Sequence, residues 1–168
     1  WIAVTSDLGS GATFRIFIPR LTVSAAIAAA PSIMGKLRGG TETILVAEDE
    51  PALRALVRSV LTRLGYRVLE APTGVRALEV WQQNRDDIQL LVTDMVMPDG
   101  MSGRELADRL LAANPSLKVI FTSGYSPEIA GKNSHLREGV NFLAKPFAPP
   151  KLAETVRAQL VRMAVPQT

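Results

Sequence analysis

Residues Thr43–Gly65 read TILVAEDEPALRALVRSVLTRLG, and the fold follows from the change of pattern inside them. Thr43 to Ala47 carry Ile44, Leu45 and Val46 in an unbroken apolar run, as a strand buried on both faces requires. From Pro51 the period changes. Leu53, Leu56, Val57, Val60, Leu61 and Leu64 recur at spacings of three and four, with Pro51 in the first turn and Gly65 just past the end. A buried strand followed by an amphipathic helix is the repeating step of a parallel sheet with crossover helices.

The same alternation continues towards the C-terminus. Tyr66 to Glu70 predicts a second strand, and Gly74 to Asn84, with Val75, Leu78 and Trp81 on one face, a second helix. Ile88 to Thr93 predicts a third strand, and Pro98, Asp99 and Gly100 a loop whose turn chemistry is explanation enough for them. Ser102 caps a third helix carrying Leu106, Leu110 and Leu111, with Glu105 at the capping-box position and Asn114-Pro115 ending it. Lys118 to Ser123 and Asn141 to Ala144 predict the fourth and fifth strands, and Leu152, Val156, Leu160 and Met163 mark the last helix. Between Ser126 and Gly139 a helix is expected to be short or mobile, because Gly131, Asn133 and Ser134 interrupt any apolar stripe. Five strands alternating with five helices give a doubly wound α/β domain, whose ligands sit beyond the carboxyl ends of the strands where the strand order reverses.

Composition narrows the function. The 168 residues are 47% hydrophobic, ample for a packed core. Of 19 basic and 16 acidic side chains, residues 1–40 hold Arg15, Arg20, Lys36 and Arg38 against Asp7 alone, which leaves fifteen of each sign in residues 41–168. The main domain therefore offers no net field to a polyanion, and nucleic-acid binding is not expected. With no cysteine, thiolate metal sites and cysteine nucleophiles are excluded, and a reducing cytoplasmic setting is compatible. No run approaches the ~20 apolar residues of a membrane span. The Ala-rich Leu21–Ala30 stretch, closed by Pro31, reads as part of a linker over residues 21–40. A first residue of Trp1, with no charged segment before an apolar one, suggests a piece of a longer chain without a signal peptide.

The chemistry gathers at the strand ends. The first strand runs into Glu48 and Asp49, the third into Asp94, the fourth into Thr122 and Ser123, and the fifth into Lys145 and Pro146. Converging carboxylates repel one another, and a hard divalent cation such as Mg²⁺, which takes oxygen ligands, relieves them. Lysine and threonine complete a site suited to a phosphoryl group, one by neutralising an oxygen and the other by donating to it. One carboxylate must then be the nucleophile.

In combination, Glu48-Asp49, Asp94-Met95-Val96-Met97-Pro98, Thr122-Ser123-Gly124 and Lys145-Pro146-Phe147 resemble the response-regulator receiver domains of two-component signalling, over about three quarters of the chain. The resemblance implies a flavodoxin-like fold and phosphorylation of Asp94 by a phosphohistidine of a sensor kinase or a histidine phosphotransfer domain. It implies that Asp49, Asp94 and the backbone carbonyl of Val96 ligate Mg²⁺, with Glu48 acting through water. It further implies that Lys145 pairs with Asp94 or its phosphate, and that Thr122 and Phe142 are the residues that switch. Such a domain catalyses its own modification and turns over no separate substrate. Glu48 stands where Asp is commoner, keeping the charge with a longer reach. Neither Val96 nor Gly124 can position a water, so slow autodephosphorylation is expected; a phospho-Asp94 lifetime of seconds would contradict it.

Residues 1–20 carry a second resemblance. Val4, Ser6, Gly9-Ser10-Gly11-Ala12-Thr13-Phe14 and Ile16-Phe17-Ile18-Pro19 look like the closing strands of a histidine-kinase ATP-binding domain, too short a piece to bind ATP. The expected organisation is this remnant over 1–20, a linker over 21–40, a receiver over 41–163 and a tail over 164–168, within a hybrid sensor kinase. Two rivals remain open: a stand-alone response regulator with an unrelated leader, and a phosphate-independent protein-binding module. An aspartyl phosphatase of the haloacid-dehalogenase type would need an Asp two places after the nucleophile, where Val96 stands. Dimerisation through the last two helices is left undecided. His135 reads as a surface residue, and Trp1 and Trp81 as packing residues.

Overall fold

The computed structural model describes residues 1–18, 38–98, 100–124 and 136–161. The chain divides into two compact units, Trp1–Ser32 and Ile33–Thr168.

In the first unit, β1 (Ile2–Asp7) and β2 (Gly11–Ile16) form an antiparallel hairpin. Gly9 and Gly11, both at φ 86°, supply the left-handed backbone of its turn. The register pairs Ile2 with Ile16 and Val4 with Phe14, so these four side chains share one face, and all four are exposed. Trp1 stacks on Phe17 at 3.7 Å and the two exchange backbone hydrogen bonds, which closes the open end.

The second unit runs β3 (Thr43–Ala47), α1 (Pro51–Arg63), β4 (Arg67–Ala71), α2 (Gly74–Asn84), β5 (Ile88–Asp94), α3 (Gly103–Ala113), β6 (Lys118–Ser123), β7 (Phe142–Ala144) and α4 (Pro149–Val161). The five strands are all parallel in the order β4-β3-β5-β6-β7, so the order reverses between β3 and β5. Every residue of β3 is buried, as its unbroken apolar run requires. Its alternate side chains feed two cores. Leu45 and Ala47 pack with Trp81, Leu91, Leu106 and Leu110 beneath α2 and α3. Ile44 and Val46 pack with Val57, Leu61, Leu90, Leu152 and Val156 beneath α1 and α4.

The helix starts follow their local chemistry. Pro51 opens α1, the Thr73 hydroxyl accepts from the Arg76 N–H at α2, and Ser102 and Glu105 form the expected capping box at α3. Strand bounds differ slightly from expectation: β4 is shifted one residue, which leaves Tyr66 buried ahead of it, and β5 extends to include Asp94. Four helices stand among the described residues. The expected helix of 126–139 falls mostly on residues 125–135, outside the described set, and the flanking Glu138 bridges to Phe142 instead of being helical. The linker of 21–40 falls largely outside it too, as does the 164–168 tail. Its last residues, Gly39 and Gly40, are already packed on the domain. The Gly40 N–H donates to the Leu64 carbonyl at 3.1 Å, and a Cβ at Gly39 would lie 1.8 Å from that oxygen. Among the described residues, no helix is long and apolar enough to cross a membrane.

Candidate functional site

Parallel pairing brings the carboxyl ends of all five strands to one rim, and β3, β5, β6 and β7 each deliver a polar residue there. Glu48 and Asp49 follow β3, Asp94 ends β5, Thr122 lies beside Asp94 in the β5–β6 register, and Lys145 follows β7. Oxygen atoms of Glu48, Asp49 and Asp94 all lie within 4.8 Å of one another. The Lys145 ammonium donates to Glu48 Oε1 at 2.8 Å and to Asp94 Oδ2 at 2.5 Å. The other Asp94 oxygen, Oδ1, accepts from the Val96 N–H at 3.1 Å, so the loop after β5 folds over the carboxylate.

Burial sets the electrostatics. Glu48 and Asp94 are buried while Asp49 is exposed, which gives the cluster an open mouth. Burial raises the Glu48 carboxyl above the usual range, and the bond and charge of Lys145 offset this only in part. For Lys145 burial pulls the other way, towards loss of the proton, yet its bonds to Asp94 and Glu48 outweigh it and hold the ammonium above its ordinary value. One cation against three carboxylates leaves a deficit of positive charge in an all-oxygen pocket, the donor set that suits a hard divalent cation. Beside it the Thr122 Oγ is buried with no hydrogen-bond partner among the described residues, a polar atom aligned with the Asp94 end of the sheet.

Backbone bonds fix these positions. The Met95 N–H donates to the Thr122 carbonyl at 2.9 Å, and the Lys145 N–H to the Ser123 carbonyl at 2.7 Å, with a cis bond following at Lys145–Pro146. Phe142 lies on β7, fully buried and in register with Phe121. Val96 is 65% exposed at the rim, and Gly124 is exposed beyond β6.

Two residues that sequence reasoning passed over shape the site. Gly103 opens α3 against the Asp94 backbone, where a Cβ would sit 1.8 Å from the Asp94 carbonyl oxygen. Only glycine permits that approach, and its place directly after the Ser102 cap was the available signal. Arg54, in the first turns of α1, donates from Nη1 to the carbonyls of Glu48 at 2.6 Å and Asp49 at 3.2 Å. An arginine a turn beyond an acidic pair can reach back to it, but the helical pattern alone reads it as surface.

Comparison with known proteins agrees with this geometry. Residues 44–157 match the family model described as response regulator receiver domain. The chain is 36% identical over 167 residues to the sensor kinase CckA of Brucella abortus, an alignment covering 95% of this chain and 18% of that protein. It is 36% identical over 123 residues to chemotaxis protein CheY1 of Helicobacter pylori, covering 70% of this chain and 95% of the relative. The crystal structure of the receiver domain from the hybrid histidine kinase CckA superposes with a TM-score of 0.59 at 37% identity, covering 70% of this chain and 98% of that one.

Proposed function

The chain belongs to the response regulator receiver family, the phosphate-accepting component of two-component phosphorelays, and on that premise we propose that Asp94 is its phosphoacceptor. The observation that carries the assignment is the position of Asp94. It is the buried carboxylate at the centre of the rim, bonded by the ammonium on one oxygen and a backbone N–H on the other. An Asp94 carboxylate oxygen forms a bond to phosphorus as the phosphorus–nitrogen bond of a donor phosphohistidine breaks. The resulting acylphosphate gains oxygens within the field of Lys145 and beside the partnerless Thr122 hydroxyl. Phe142, buried next to that strand, is the aromatic that answers a shift of Thr122.

Mg²⁺ is the cation this pocket fits. Asp49 and Asp94 would hold it directly with the Val96 carbonyl, and Glu48 through water; bound there, the ion would neutralise phosphoryl charge. The donor has an apolar footing beside Lys145. Leu53, Leu56, Pro146 and Phe147 line an open cleft there, and Leu56 is left exposed. Val96 and Gly124 flank the site without a polar side chain to orient water, which supports a slow loss of phosphate.

The chain spans 18% of the sensor kinase it matches, so the parent's activity is a further step. That alignment takes in 95% of this chain where the receivers take in about 70%, and it must therefore include most of residues 1–40. This supports the reading of residues 1–20 as the end of a histidine-kinase ATP-binding domain, 21–40 as linker and 41–163 as receiver. The parent is then a hybrid sensor kinase.

The test is intact mass after incubation with acetyl phosphate and Mg²⁺. The wild type gains about 80 Da, one phosphoryl group, only with Mg²⁺, and Asp94→Asn gains nothing. A folded wild type with no gain would replace this reading with that of a phosphate-independent binding module.

A further inference from the structure

The acidic pair lies between β3 and α1, with Asp49 on a bend, and neither the strand nor the helix supplies a backbone donor to the Glu48 and Asp49 carbonyls among the described residues. On one side the Glu48 N–H donates to the Ala71 carbonyl at the end of β4, 3.1 Å away. On the other, the two successive carbonyls of Glu48 and Asp49 converge on a single nitrogen of Arg54. The opposite edge of the same guanidinium faces Glu70 of β4, with Nε 3.9 Å from Oε1, and Glu70 is held again by Arg58 at 3.5 Å. Arg54 thus lies between the Glu70 carboxylate and two carbonyls whose orientation sets where the acidic side chains leave the backbone.

The contrast with Arg58 is informative. Both lie on α1 one turn apart and both face Glu70, yet Arg58 is 60% exposed and Arg54 only 19%. A planar guanidinium can bond on two edges at once, which a compact ammonium cannot do in the same geometry.

We infer that Arg54, anchored by Glu70, is a positioning residue for the acidic pair: it locks the Glu48 and Asp49 peptide planes so that both carboxylates face Asp94. This rests on the metal reading above. A second account of the same contacts, that Arg54 serves only as a nearby positive charge, predicts the opposite sign. Removing a cation near a cation site tightens metal binding, whereas releasing the ligand-bearing backbone loosens it.

The experiment is calorimetric titration of Mg²⁺ into the unphosphorylated full chain, for wild type, Arg54→Gln, Arg54→Lys and Glu70→Gln. Loss of such an outer partner weakens metal affinity by about tenfold or more, so that loss is expected for Arg54→Gln. Arg54→Lys, which keeps the charge, is expected to weaken binding as well, and Glu70→Gln by a smaller, about threefold, factor, in line with a part-exposed ion pair. In acetyl phosphate reactions the Mg²⁺ concentration for half-maximal rate should rise in step, while the rate at saturating Mg²⁺ returns to that of the wild type. Equal or tighter binding in Arg54→Gln, or full affinity in Arg54→Lys, would overturn the inference and leave the metal reading intact. A wild type that binds no Mg²⁺ would remove both.

Discussion

Strand β3 and the hairpin β1–β2 are built from similar residues and meet opposite fates. Ile44, Leu45 and Val46 are wholly covered, while Ile2, Val4, Phe14 and Ile16 are left in the open on one face of a two-stranded ribbon. Strand propensity is alike in the two regions; what differs is the number of layers around them. β3 has a neighbour on each edge and a helical layer on each face, and among the described residues the hairpin strands pair only with each other. Two strands alone are marginal in water, so the same residue types that mark an interior in β3 stay on the surface in the hairpin.

The sharpest way to break that comparison is to cut into β3. Leu45→Ala removes a fully buried side chain from the core under α2 and α3 and should lower the unfolding free energy by about 2–5 kcal/mol, read by urea denaturation. A loss under 1 kcal/mol would mean that the layers do not carry the stability assigned to them.

An intermediate case separates burial from bonding. Glu105 is fully exposed, like the hairpin face, but it is bonded to the Ser102 N–H and hydroxyl. Ser102→Ala should cost about 1 kcal/mol at neutral pH. Those bonds hold the Glu105 carboxyl below its ordinary range, the backbone bond from Ser102 contributing most. A depressed carboxyl stabilises the fold above its unfolded-state value, and that contribution fades as pH falls through the folded value. The gap in thermal stability between wild type and Glu105→Gln should therefore close in acid; a gap that widens there would contradict the capping-box account.

The smallest effect belongs to the hairpin. Phe14→Thr replaces a side chain that is 68% exposed, and the main transition of the chain should move by less than about 0.5 kcal/mol in thermal denaturation. A larger shift would show that the hairpin face is covered after all and would collapse the contrast with β3.

The same contrast explains what could be read in advance. The β3 run, the change of period at Pro51 and the Ser102–Glu105 cap depend on neighbours a few residues away, and the structure has them where the pattern put them. Glu48, Asp49, Asp94, Thr122 and Lys145 were legible because a parallel sheet must bring its carboxyl ends to one rim. Long-range detail was not legible in the same way. That Lys145 bonds Glu48 as well as Asp94, that Gly103 abuts the Asp94 carbonyl, and that Arg54 reaches back to the bend each depend on distances set by the whole packed domain. Gly39 and Gly40 fell at the end of the expected linker; in the structure a side chain at Gly39 would meet the Leu64 carbonyl and one at Gly40 the Glu42 carboxylate.

The bond from Lys145 to Asp94 spans 51 positions of sequence, and the bond to Glu48 spans 97. On a ribosome the acidic cluster therefore emerges well before the ammonium bonded to it. At about 5–20 residues per second the interval between Asp94 and Lys145 is about 3–10 s. Through that interval the nascent chain holds Asp94 without the cation bonded to it, and β7, which positions that cation, has not yet been made. A polypeptide stopped short of β7 would hold the three carboxylates without the ammonium that bonds two of them.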